Sequence, residues 1–225
     1  MKSEEEYRKT IQTISEKLGN THLMAVSKTR SVEEIDAVYR CGVRLFGENH
    51  VQEIVQKFSD YRPQGMELHM IGHLQTNKVS KVVPLVDMIE SVDSIRLLQK
   101  INAEAAKNSK TMDVLLEYNT SGEESKSGFG SKEDLFDCIE AAFDMDNIHL
   151  RGLMTVGPLE HPENTRDAFR FLKNLFDECR IRYGGKLGRF DTLSMGMSGD
   201  WELAVKEGST QVRIGTTIFG ERHYD

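Results

Sequence analysis

At 225 residues, with 38% hydrophobic and 29% charged positions, the chain is long enough for one sizeable core and a squeeze for two, so a single domain over 1–225 is expected. A formal net charge of −7 argues against a nucleic-acid backbone or an anionic membrane surface as the main partner. The N-terminus "MKSEEEYRKTIQTISEKLG" has no apolar h-region and no run of about 18 apolar residues occurs, so neither a signal peptide nor a membrane span is expected and the cytoplasm is the expected location.

The first element is an amphipathic helix, with Tyr7, Ile11, Ile14 and Leu18 at helical spacing. Eight short β-rich runs then alternate with helical patterns: "HLMAVS" from His22, "RLFGE" from Arg44, "ELHMIG" from Glu67, "MIESV" from Met88, "DVLLEYN" from Asp113, "HLRGLMTV" from His149, "DTLSMG" from Asp191 and "QVRIGT" from Gln211. Between them, Ile35, Val38 and Tyr39 share one face of a helix from Val32, and Phe169, Leu172, Leu175 and Phe176 share one face of a helix ending near Tyr183. This alternation predicts βαβ units and a parallel sheet. Eight strands predict closure into a (β/α)8 barrel, with a doubly wound open sheet as the competing architecture, because periodicity does not show whether the first and last strands pair. The most loop-like stretch is "NTSGEESKSGFGS", from Asn119 to Ser131. Three well-separated cysteines, Cys41, Cys138 and Cys179, lack CxxC spacing and read as reduced thiols filling core or helix positions.

Function in a parallel barrel sits after the carboxyl ends of the strands. The first strand ends on Ser27 and Lys28, where the lysine is either solvent-exposed or, if buried at an apolar mouth, an amine of lowered pKa competent to attack aldehydes. The second ends in "FGENH", where Gly47 permits close backbone approach and Glu48 and Asn49 bring polar groups to the rim; a helix cap explains Asn49 equally well. The third leads to His73, Gln75, Asn77 and Lys78, with His73 readable as an acid/base or as a structural histidine.

The last two strand ends carry the strongest signals. "LSMGMSGDWELAVKEG" places Ser194, Gly196, Ser198 and Gly199 before a helix, and "VRIGTTIFGER" places Gly215 and Thr216 after a strand that carries Arg213. Both turns favour an anion on backbone N–H groups, and the loops after strands seven and eight are where many barrels hold a phosphate. Together with an amine across the barrel, they describe a site for an aldehyde that also carries a phosphate.

The segments "AVSKT", "FGEN", "HMIGHLQTNK", "GLMTV" and "LSMGMSGDWELAVKEGSTQVRIGTTIFGER" closely resemble the YggS/PROSC family of pyridoxal 5′-phosphate (PLP) binding proteins, over Met24 to Arg222. The resemblance implies a barrel like the N-terminal domain of alanine racemase, preceded here by an extra helix, with PLP held as a covalent aldimine on Lys28. It implies that Asn49 sits beside the cofactor and that Ser194 or Ser198, with Gly196, Gly215 and Thr216, holds the phosphate. It also implies that Arg213 faces the pyridine nitrogen, where a fixed guanidinium disfavours protonation and makes the ring a poorer electron sink.

A noncatalytic PLP carrier that buffers the cofactor or delivers it to apo PLP-dependent enzymes is therefore expected. The alternative is an amino-acid racemase or related PLP enzyme, which in the related racemases takes a tyrosine from a second domain. Here the chain ends at Asp225; Tyr224 as a substitute reads instead as a frayed terminal residue. A Schiff-base aldolase wants a lysine on the sixth strand, and "LRGLMTV" has none. Lys78 and Lys81 are the next candidate amines after Lys28, and amphipathic outer helices favour a monomer.

Overall fold

The computed structural model describes residues 2–123, 126–158 and 162–221. A capping box opens α1 (Glu4–Leu18): the Ser3 hydroxyl accepts the Glu6 N–H while the Glu6 carboxylate accepts the Ser3 N–H. Its buried face, Tyr7, Ile11, Ile14 and Leu18, is the one the periodicity predicts.

Strand and helix then alternate: β1 (His22–Val26), α2 (Val32–Arg40), β2 (Leu45–Glu48), α3 (Val51–Phe58), β3 (Glu67–Met70), the short α4 (Val79–Val82), β4 (Met88–Val92) and α5 (Ile95–Lys107). The second half continues with β5 (Met112–Glu117), α6 (Lys132–Ala142), β6 (Ile148–Met154), α7 (Pro162–Tyr183), β7 (Thr192–Met197), α8 (Trp201–Lys206), β8 (Gln211–Ile214) and α9 (Thr216–Phe219). All neighbours are parallel, and the order β1 to β8 closes into a barrel. The closing pair sets His22 opposite Gln211 and Met24 opposite Arg213, which decides between the barrel and the open sheet. The added helix α1 packs against α2, α8 and α9, with the Tyr7 ring edge-on to Phe219.

Alternate strand residues face the axis and the helices. Most of the core lies between sheet and helices; inside the barrel are two smaller apolar groups, Met24, Val26 and Ile71, and Met88, Leu115 and Met154. Beside them the barrel carries a polar layer of His69, Glu90, Ser194, Gln211 and Arg213, every member buried, with Arg213 level with Met24 and His69 level with Met88. Cys138 and Cys179 are buried in the outer core, where burial pushes both thiols up to about 12 and leaves them unreactive.

Candidate functional site

A cavity of about 200 Å³ opens at the carboxyl ends of the strands. Lys28 enters it from the end of β1, Asn49 from β2, Arg213 from β8, and Ser198, Gly215 and Thr216 from the turns after β7 and β8; Val26, Ile71 and Val156 supply its apolar wall. The lysine is half-buried and lines this cavity, between the two extremes its sequence position allows.

The turn after β7 and the turn after β8 meet on one atom. Ser198 Oγ accepts the backbone N–H of Gly215 at 3.2 Å and that of Thr217 at 3.4 Å, so a single oxygen sits where two amide dipoles converge. Asp200 shapes this turn by accepting the Met197 N–H at 2.5 Å. Gly196 stands at φ +97, and a Cβ there would lie 2.5 Å from the Ala204 Cβ, so its role is to let α8 close against β7. It does not line the cavity.

Nor does Ser194. Its fully buried hydroxyl donates to Glu90 Oε2 at 2.6 Å and accepts from Arg213 Nη1 at 2.6 Å and Gln211 Nε2 at 3.1 Å. Of the two serines that the sequence leaves open, Ser198 is the one at the cavity surface. Arg213 completes its anchorage by donating from Nη2 to the Thr155 carbonyl at 2.7 Å. Burial pulls its pKa below the ordinary arginine value, and Glu90, Glu117 and Asp200 oppose that. A guanidinium still carries its charge in a protein, so the site has a fixed, buried cation at its floor.

The rim of β2 divides. Asn49 Oδ1 is buried with no hydrogen-bond partner, an acceptor left over at the cavity edge. Glu48 points the other way, toward α3, where its Oε1 accepts from Ser27 Oγ and Lys57 Nζ, each at 2.8 Å. His73 is exposed beside Asp93 and Ser127, and neither it nor Lys78 or Lys81 lines the cavity. Tyr224 lies outside the described residues.

Sequence reasoning missed Arg30, which lines the cavity two residues after Lys28 and ties its Nη2 to the carbonyls of Gly220 at 2.5 Å and Glu221 at 3.1 Å. It also missed His69, Glu90 and Gln211 beneath Arg213. A charged residue inside the β-rich run "MIESV" was the available signal for Glu90.

A parallel eight-stranded barrel with an amine, a buried guanidinium and converging backbone amides at its C-terminal mouth is of the alanine racemase N-terminal domain class, and that domain family matches residues 3–223. Within this class, the chain belongs to the pyridoxal phosphate homeostasis protein family. It is 42% identical over 219 residues to the pyridoxal phosphate homeostasis protein of Aquifex aeolicus, covering 95% of this chain and 94% of that one. It is 39% identical over 214 residues to the human pyridoxal phosphate homeostasis protein, covering 90% and 77%. Among solved structures, PipY of Synechococcus elongatus without PLP superposes with a TM-score of 0.89 at 32% identity over 95% of this chain and 99% of that one. The same protein with PLP bound gives a TM-score of 0.85 over 95% and 100%. Alanine racemase from Streptomyces coelicolor shares the fold, with a TM-score of 0.76 at 15% identity over 59% of its chain.

Proposed function

We propose that this chain, residues 1–225 acting as one domain, binds PLP at the barrel mouth and serves intracellular PLP homeostasis, holding the cofactor reversibly and without turnover. The observation that carries it is the meeting of Lys28, Arg213 and the Ser198–Gly215 turn pair on one small cavity. The residues fit the group. Asn49 Oδ1 is a buried acceptor without a partner, and the Gly215 and Thr217 amides converge on a single oxygen. The homeostasis names of the relatives and the PLP-bound PipY structure support the same reading.

When bound, PLP supplies an electrophilic aldehyde and a conjugated ring whose electron-sink capacity rises when its nitrogen is protonated. Lys28 supplies the amine that bonds to the aldehyde carbon. Ser198, Gly215 and Thr216 would hold the phosphate, and Asn49 would offer its polar group beside the ring. Arg213 would meet the ring nitrogen with N–H donors and no acceptor, so it would not take up or stabilise a proton on that nitrogen. That favours storage over carbanion chemistry, with apo PLP-dependent enzymes as recipients.

Titration with PLP should produce an absorbance band near the visible edge that borohydride abolishes, leaving the added mass on the Lys28 peptide. In Lys28→Ala the reducible band should be lost; an identical adduct in that variant would move the assignment to another lysine. Ser198→Ala should weaken PLP about tenfold, equivalent to about 1.4 kcal/mol, whereas Ser194→Ala, one layer deeper, should act mainly on stability. Equilibrium dialysis beside a urea melt separates the two serines, and equal losses of affinity would overturn the assignment. Delivery is tested by mixing PLP-loaded protein with an apo PLP-dependent enzyme and a PLP trap. Reactivation faster than released PLP allows supports transfer, and reactivation at that rate leaves buffering alone. Light scattering on the same sample should give the mass of one chain. Among the described residues no helix is long and apolar enough to cross a membrane, in keeping with a cytoplasmic pool as the working place.

A further inference from the structure

Both chain neighbours of Lys28 are gripped by side chains of a single helix. From α3, Lys57 Nζ donates to the Ser27 carbonyl at 2.9 Å, and Glu53 Oε2 accepts the Thr29 N–H at 2.7 Å. The two side chains are one helical turn apart and bonded to each other at 2.6 Å. A third arm runs underneath, where Glu48, with no exposed surface, accepts from Lys57 and from the Ser27 hydroxyl, each at 2.8 Å.

The backbone held this way is strained. Thr29 stands at φ +65, the left-handed region that a β-branched residue adopts only when its surroundings impose it, at a cost of about 1–3 kcal/mol. Glu53 offers the carboxylate that compensates, and its carboxyl lies below the ordinary range because the bonds from Lys57 and Thr29 outweigh the upward push of burial. This is not the exposed i,i+4 pair that such spacing usually forms, because the side chains are only 10% (Lys57) and 20% (Glu53) exposed and both also bind backbone outside their helix. Lys57 Nζ gives its donors to three acceptors, the Ser27 carbonyl, Glu48 Oε1 and Glu53 Oε2, and so is committed to the turn.

We propose that Glu53 and Lys57 are positioning residues that fix the Ser27–Thr29 turn so that Lys28 presents its amine to the aldehyde of PLP; this rests on the function proposed above. In the step they serve, Lys28 Nζ donates its lone pair to the aldehyde carbon. The C=O bond is replaced by C=N, and the oxygen leaves as water with the two amine protons, so no oxidant or reductant is consumed.

The test compares PLP with pyridoxine 5′-phosphate, which has the same ring and phosphate but an alcohol in place of the aldehyde. Glu53→Gln and Lys57→Met should slow formation of the reducible adduct at least tenfold while leaving the pyridoxine 5′-phosphate dissociation constant within twofold. Lys57→Arg, which retains the charge and the donors, should recover most of the rate. Thr29→Gly placed on Glu53→Gln should also recover rate, because glycine occupies positive φ without strain. If the variants form adduct at the wild-type rate, or if both ligands weaken in parallel, the positioning role is wrong even though the binding site stands. If the wild type itself forms no adduct on Lys28, the proposed function fails and the positioning role with it.

Discussion

Glu90→Ala is expected to destabilise the cofactor-free protein by about 3–5 kcal/mol, the usual cost of removing one member of a buried charge pair. Glu90 has no exposed surface, and its carboxylate receives three bonds of 2.6 Å, from His69 Nδ1, Ser194 Oγ and Gln211 Nε2. Burial pushes its pKa up, but the bond and charge of His69, the charge of Arg213 and the bond from Ser194 together hold it below the ordinary carboxylate value. Removing the carboxylate leaves the Arg213 cation buried with less compensation and takes the shared acceptor away from His69, Ser194 and Gln211. Glu90→Gln keeps one acceptor oxygen and the volume, so it should cost less, about 1–3 kcal/mol. The pH dependence follows from the lowered pKa: the Glu90 contribution is fully present above the unfolded value of 4.5 and is lost as the pH falls through the lower folded value. Urea unfolding at neutral and acid pH measures both effects. A Glu90→Ala midpoint equal to wild type would show that the polar layer is not held by this carboxylate.

The architecture was legible because each βα unit is local. Alternating runs and helical spacing place all eight strands within a residue or two of their observed starts. Closure was not legible, because the pairing of His22 with Gln211 joins positions at opposite ends of the chain, and no local pattern reports it. The cavity lining was legible at strand ends and turns: of the residues the sequence singles out, Lys28, Asn49, Ser198, Arg213, Gly215 and Thr216 all reach the cavity. The two serines could not be separated, because the strand alternation that would aim them is interrupted between Ser194 and Met197, where the pairing with β8 shifts register. The polar layer was invisible for the same reason as closure, since His69, Glu90 and Gln211 come from three strands and meet only once the barrel is shut. Glu53 and Lys57 read as an ordinary helix-surface pair until the strained turn at Thr29 shows what they hold.

Glu117→Gln is expected to act in the opposite direction and stabilise the protein at alkaline pH. Glu117 closes β5 two residues after Leu115, which packs inside the barrel with Met88 and Met154, so alternation turns the carboxyl toward the axis. Among the described residues none donates a hydrogen bond to its side chain, in contrast to Glu90. Burial pushes its pKa up to about 7, with the charge of Arg213 opposing and that of Asp93 adding to the rise. Between the unfolded value of 4.5 and about 7, the native state binds a proton that the unfolded state has lost. Stability therefore falls as the pH rises through that window, and the penalty is complete above it. A gap of about 2.5 between the two values, at about 1.4 kcal/mol for each pH unit, sets an upper figure of about 3.5 kcal/mol. The neutral amide of Glu117→Gln escapes this, so the variant should match wild type near pH 4.5 and exceed it by up to about 3.5 kcal/mol at pH 8. Urea melts of the cofactor-free proteins at those two values decide it, and an offset that does not change with pH would place the effect in packing instead of charge. Arg213 thus lies between one carboxylate kept ionised by its hydrogen bonds and one carboxyl whose charge varies near neutrality, so the field at the floor of the cavity is set mainly by Glu90 below pH 7 and by both above it.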